Sequence, residues 1–284
     1  MPFLPVSKED MDRMGIGQLD YIVVTGDSYV DHPSFGTAII SRIIESLGFT
    51  VGIIAQPDWH SDRDFKKLGR PKYAFLVNGG NIDSMVAHYT VAKRRRSEDA
   101  YTAGGVMGKR PDRAVTVYCH KLREIYGDIP IGIGGLEASL RRFAHYDYWD
   151  DCVHPSILEE SGADILMYGM GERQIKAICE RLAQGEDIHD IRDVRGTAYL
   201  CDPKETPYGC VECASFKVIS ENKEAYAKAC RQQMDWQDEV YGRTVIQRQS
   251  EKMLVQLAPA PVLTTPELDA VYELPYMRTW HPMY

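Results

Sequence analysis

"YIVVTGDSYVDHPSFGTAIISRIIESLG", Tyr21 to Gly48, is the stretch on which the fold turns. Tyr21 to Thr25 form an apolar, β-branched run that stops at Gly26 and Asp27, as a strand covered on both faces does. Beyond the loop, Ile39, Ile40, Ile43, Ile44 and Leu47 recur at helical spacing, and Gly48 closes the run. A strand, a loop and an amphipathic helix in this order make half of a βαβ unit.

The same grammar repeats down the chain. "TVGIIAQP" (Thr50 to Pro57) and "KYAFLVNGGN" (Lys72 to Asn81) read as strands stopped by Pro, Gly or Asn. A helix is expected from about Asp112 to Tyr126, with a strand still open because of its β-branched start. "IPIGI" (Ile129 to Ile133) is the next strand, and "ADILMYGMGE" (Ala163 to Glu172) the fifth. "ERQIKAICERLAQG" follows as a helix with Ile175, Ile178, Cys179 and Leu182 on one face. Strands alternating with helices predict an α/β fold, a doubly wound parallel sheet over about Leu19 to Gly185. Past Gly185 the pattern changes. "GTAYLCDP" and "SFKVIS" read as strands, "ENKEAYAKACRQQMDWQDE" as an exposed helix capped by Ser220, and "EKMLVQLAPAPVLTTPELDAVYELP" as an extended connector.

With Lys+Arg 33 against Asp+Glu 41, the net charge of -8 disfavours broad adhesion to nucleic acid or anionic membrane. The basic "KRRR" (Lys93 to Arg96) therefore reads as a solvated face. The start shows no apolar signal region, and no apolar run approaches the ~20 residues of a membrane span, so a cytoplasmic protein is expected. Seven irregularly spaced cysteines do not form a secreted disulfide framework. Cys210 and Cys213 have the spacing of half a zinc site, but the other half is missing, and no metal ligand is assigned.

Ligand-binding candidates fall at the carboxyl ends of the strands, where open α/β sheets hold ligands. After the first strand these are Asp27, Asp31 and His32. "GGLEASLRRFAHYDYWDD" adds Gly134, Gly135, Glu137, Arg141, Arg142 and His145, and "MGE" adds Glu172 in the first turn of a helix. Glu137 and Arg141, four apart on a helix beginning near Leu136, are expected to pair on its exposed face. The glycines of "GIGGLEA" lack the spacing of a dinucleotide fingerprint, and no residue is assigned a catalytic role.

Taken together, "DSYVDHPSFG", "RRRSEDAYTAGG", "RPDRA", "IPIGIGGLEASLRRFAHYDYWDD", "MYGMGER" and "LPYMRTWHPMY" resemble the YgiQ-type family of radical S-adenosylmethionine proteins of unassigned reaction. The resemblance implies a cobalamin-binding-like, Rossmann-like accessory domain at 1–185. A connector at 186–284 would lead into a radical barrel that is absent or incomplete here. It also implies a four-iron four-sulfur cluster and S-adenosylmethionine in the full-length protein, held by a Cys-x-x-x-Cys-x-x-Cys loop beyond the segment matching "RTWHPMY". None of the seven cysteines forms that triad, so no cofactor is expected in this chain alone, and its partner would be its own C-terminal radical domain. The aromatic, proline-rich close at "PYMRTWHPMY" agrees with a chain cut short. A cobalamin module would present Asp-x-His-x-x-Gly after its first strand. Here His32 directly follows Asp31, and three residues separate it from Gly36, so cobalt ligation by His32 is not expected. The alternative is a stand-alone α/β module whose glycine loops and arginines hold a phosphorylated or nucleotide-like ligand. The substrate is an unidentified small molecule under either reading.

Overall fold

A computed structural model describes residues 2–284. After a short helix α1 (Lys8–Arg13), the chain enters β1 (Tyr21–Thr25) and then the two-residue β2 (Val30–Asp31) within its loop. Helix α2 (Gly36–Ser46), β3 (Val51–Ala55), α3 (Arg63–Lys66), β4 (Ala74–Asn78) and α4 (Ser84–His88) follow. A long loop then leads to α5 (Ala114–Tyr126), β5 (Ile131–Gly134) and α6 (Gly135–Leu140). The hairpin β6 (His145–Asp147) and β7 (Cys152–His154) precedes α7 (Ile157–Ser161), β8 (Ile165–Met167) and α8 (Glu172–Ala183).

The five strands read from the sequence are parallel neighbours in the order β3-β1-β4-β5-β8. Their unbroken apolar character has a simple cause, since helices cover both faces. In β1, Ile22 and Val24 join the core under α5 and α7, with Tyr118, Leu122, Ile157 and Leu158. Tyr21 and Val23 face the opposite core, with Ile43 and Ile44 of α2 and Ile175 and Ile178 of α8. Tyr21 also donates its hydroxyl hydrogen to the Cys179 carbonyl at 2.9 Å, which ties α8 to the sheet.

The sheet runs on past Gly185. Strand β9 (Thr197–Cys201) pairs antiparallel with β8. Then come β10 (Val211–Cys213), helices α9 (Phe216–Glu221) and α10 (Lys223–Asp235), and strands β11 (Val245–Arg248) and β12 (Met253–Gln256). The result is one nine-stranded, mostly parallel sheet ordered β10-β11-β12-β9-β8-β5-β4-β1-β3. Helix α11 (Thr265–Tyr272) and β13 (Thr279–Trp280) complete the chain.

Three local expectations are corrected. "SFKVIS", expected as a strand, is helix α9: Ser215 caps it by accepting the Val218 N–H, and Ile219, three residues after Phe216, is buried. The next helix is capped by Asn222 rather than Ser220, because the Asn222 side chain accepts the Glu224 and Ala225 N–H groups. The connector is not extended throughout. It contains β12, and a capping box between Thr264 and Glu267 starts α11 with Pro266 in the first turn. Among the described residues no helix is long and apolar enough to cross a membrane.

Candidate functional site

The strand order places β1 between β3 and β4, so the chain winds away in opposite directions from β1. The crevice at the carboxyl ends of β1 and β4 is where such sheets bind ligands. The loops that build it are the one after β1, the "NGGN" turn after β4 (Asn78 to Asn81), the Gly134-Gly135 step into α6 and the entry to α8.

Asp27 lies at the centre of this edge. Its carboxylate accepts the Asn81 N–H at 2.7 Å and stands 3.0 Å from the Arg110 guanidinium, which also grips Asp99 through two bonds and donates to the Gly79 carbonyl. All three charged side chains are buried. Arg110 thereby pins the long α4–α5 loop over the ends of β1 and β3. The Ser28 N–H reaches the Tyr101 carbonyl, and Gln56 donates to Thr102. Gly80 passes so close that a Cβ there would lie 2.0 Å from Asp27 Oδ1, and its φ of +106° independently favours glycine.

Burial pushes the Asp27 carboxyl up to about 6 from 3.8, although Arg110 pulls it down. A raised carboxyl favours the folded state most while protonated. The stability it contributes is fully present below its unfolded pKa and lost as pH rises through about 6. A rise of this size corresponds to roughly 3 kcal/mol. Asp27→Asn is therefore expected to flatten the decline in unfolding free energy between about pH 4 and 7, read by denaturant titration across that range. An unchanged slope would contradict the assignment.

Glu137 is fully buried, not exposed as its sequence spacing suggests, and does not pair with Arg141. Its carboxylate accepts the Ser84 N–H at 2.8 Å and the Val115 N–H at 2.9 Å, so one side chain holds the first turns of α4 and α5 together. Burial pushes this carboxyl up, and Asp83 adds to the effect. Arg141 instead binds Asp83 at 2.8 Å and Asp147 at 3.2 Å. Burial would raise the Asp147 carboxyl, but the Asp150 N–H and the Arg113 guanidinium outweigh it and hold it well below the usual range.

Asp31 forms a fully buried ion pair with Arg42 and accepts the Met277 N–H at 3.1 Å. Its strand, β2, pairs with β13, the Tyr29 N–H donates to the Tyr284 hydroxyl at 2.7 Å, and His281 stacks on Tyr29. The first loop thus fastens residues 276–284 across the carboxyl edge. His32 stays in this loop with Nδ1 accepting the Ser34 N–H at 3.1 Å. Arg142 is directed at the far half of the sheet, donating to Gln256 at 2.5 Å with Tyr168 beneath its guanidinium, and has no ion-pair partner among the described residues. His145 donates from Nδ1 to the Phe143 carbonyl and stacks on His154, and burial pulls its imidazole pKa down.

Gly134, Gly135 and Glu172 do converge. They line a slot of about 210 Å³ with Gly36, Ile40 and Met167, bounded by α2 and the ends of β4, β5 and β8. Sequence reasoning assigns no role to Asp83, Asp99, Asn81 or Arg110. The "NGGN" turn directly after a strand is the one signal, and it marks only Asn81. Asp147, Asp150 and His154 also bring ligand atoms within 4.8 Å of one another, but Arg113 already bridges the two carboxylates.

A profile described as "Radical SAM N-terminal" matches residues 3–284. The chain belongs to the radical SAM N-terminal family. It is 57% identical over 284 residues to a UPF0313 protein of Clostridium botulinum (strain Loch Maree / Type A3), covering 100% of this chain and 44% of that relative. A UPF0313 protein of Clostridium perfringens (strain ATCC 13124) is 55% identical over 283 residues, covering 99% of this chain and 43% of the relative. This radical SAM N-terminal chain thus spans less than half the length of the curated relatives it matches.

Proposed function

We propose that the chain is the accessory, N-terminal part of a radical S-adenosylmethionine iron–sulfur enzyme. Its parallel half would be a Rossmann-like, cobalamin-binding-like domain at 1–185, with a connector at 186–284, and its carboxyl edge would hold a small molecule beside the remainder of the longer protein. The observation that carries this is the path of residues 276–284 across that edge, with Tyr284 bonded to Tyr29. In a longer protein, residues following Tyr284 would begin next to the Asp27 cluster.

A four-iron cluster that leaves one iron open needs three thiolates from one region. The cysteines here do not fit it. Cys119 and Cys179 are buried in α5 and α8 on opposite faces of the sheet, and Cys213 and Cys201 belong to different apolar clusters. The cluster and S-adenosylmethionine are therefore assigned to the remainder of the protein, and no step is routed through them here. The phosphate-binding alternative is disfavoured because, of the two candidate arginines, Arg141 is committed to Asp83 and Asp147 and Arg142 is turned toward Gln256 and Tyr168.

The gene provides a direct test. Its reading frame is expected to continue past Tyr284 into a Cys-x-x-x-Cys-x-x-Cys loop, and a stop codon at that point would overturn the proposal.

A further inference from the structure

We propose that the slot between α2 and the carboxyl ends of β4, β5 and β8 binds a flat, mainly apolar ring with an N–H-donating edge, accepted by the Glu172 carboxylate. The ligand class is an amidine or an amino-substituted heteroaromatic group. This deepens the reading of the carboxyl edge as a ligand face and rests on it.

Shape is the first argument. The slot measures about 210 Å³, room for a bicyclic ring and little more, and seven of its lining residues are glycine. Part of its wall is therefore bare backbone, which a planar group can approach closely. Ile39, Ile40 and Met167 supply apolar contact, and Met170, 64% exposed, offers a flexible side chain beside them.

Charge is the second argument. Buried acids normally have partners. Among the described residues seven acids are buried: Asp27, Asp31, Asp83, Asp99, Glu137, Asp147 and Glu172. The first six are held by arginines or backbone N–H groups. Glu172, 5% exposed, has no ion pair, and its Oε2 has no hydrogen-bond partner. The first-turn position of Glu172 in α8 favours a negative charge, but it supplies no donor to Oε2. A carboxylate left bare beside an apolar, backbone-walled slot suits a ligand whose donors complete it. An amidine edge does so with two parallel bonds.

The test is calorimetric titration of the 284-residue chain with 2-aminobenzimidazole, and with benzothiazole as a bicycle of similar shape lacking N–H donors. One saturable site is expected, with 2-aminobenzimidazole bound about ten-fold or more tightly than benzothiazole, as a charged hydrogen bond requires. Glu172→Gln should abolish that preference while leaving the thermal midpoint unchanged or raised, since an unpartnered buried charge is removed. Gly36→Leu, at a lining position where a Cβ meets nothing within 4 Å, should block both probes without unfolding the chain. No saturable binding of 2-aminobenzimidazole, or an undiminished preference in Glu172→Gln, would overturn the proposal. Because the titration does not involve the cluster, its failure would leave the radical-enzyme reading standing, and the reverse also holds.

Discussion

Replacing Arg110 by methionine is expected to lower the unfolding free energy by about 3–5 kcal/mol near neutral pH. The cause is what remains. Asp27 and Asp99 would face each other in a site closed to water, with neither the guanidinium nor its bond to the Gly79 carbonyl. The loss should show a spatial signature, because Arg110 anchors the loop that covers β1 and β3. Proteolysis between about Ser97 and Lys109 should accelerate before global unfolding does. Changing both acids to asparagine in the methionine variant should recover most of the loss, since an apolar or neutral replacement of a whole buried charge group is often tolerated. A single-variant loss below about 1 kcal/mol would mean that the group is hydrated and not structural.

Glu137→Ala should cost about as much, roughly 3–5 kcal/mol, for a different reason. Two buried backbone N–H groups, of Ser84 and Val115, would lose their acceptor, and a cavity would open against Gly79. Glu137→Gln keeps the volume and one acceptor atom but turns a donor toward an N–H, so about 2–4 kcal/mol is expected. Hydrogen exchange should localise the effect to the first turns of α4 and α5. Uniform loss of protection, with no excess at Ser84 and Val115, would contradict this role.

These two positions also mark how far the sequence can be read. The parallel half is legible because its strands are buried on both faces and α2 and α8 carry apolar stripes, signals that local periodicity records. The slot is partly legible. Gly134, Gly135 and Glu172 each sit where a strand gives way to a helix, and that topology alone brings them together. Glu137 escapes such reading because four-residue spacing says which side chains share a helix face, not whether that face is buried. Here α6 is only six residues long and presses against the "NGGN" turn and α5. Arg110 and Asp99 lie eleven residues apart in a loop without periodicity, so their pairing leaves no local trace. Phe216 to Ser220 resembles a strand in sequence because so short an apolar run fits either period, and only the cap at Ser215 distinguishes the helix. That β9 to β12 extend the same sheet is decided by long-range pairing, which the sequence does not display.

Anaerobic reconstitution with iron and sulfide tests the assignment to a radical S-adenosylmethionine protein most directly, comparing residues 1–284 with a chain extended along its reading frame. The readouts are iron and sulfide content, electron paramagnetic resonance of the reduced sample and reductive cleavage of S-adenosylmethionine. The extended chain is expected to hold about four irons and to cleave S-adenosylmethionine, whereas residues 1–284, whose thiols are dispersed over both faces of the sheet, should do neither. About four irons with cleavage activity in residues 1–284 alone, or an extended chain that stays empty, would contradict the assignment.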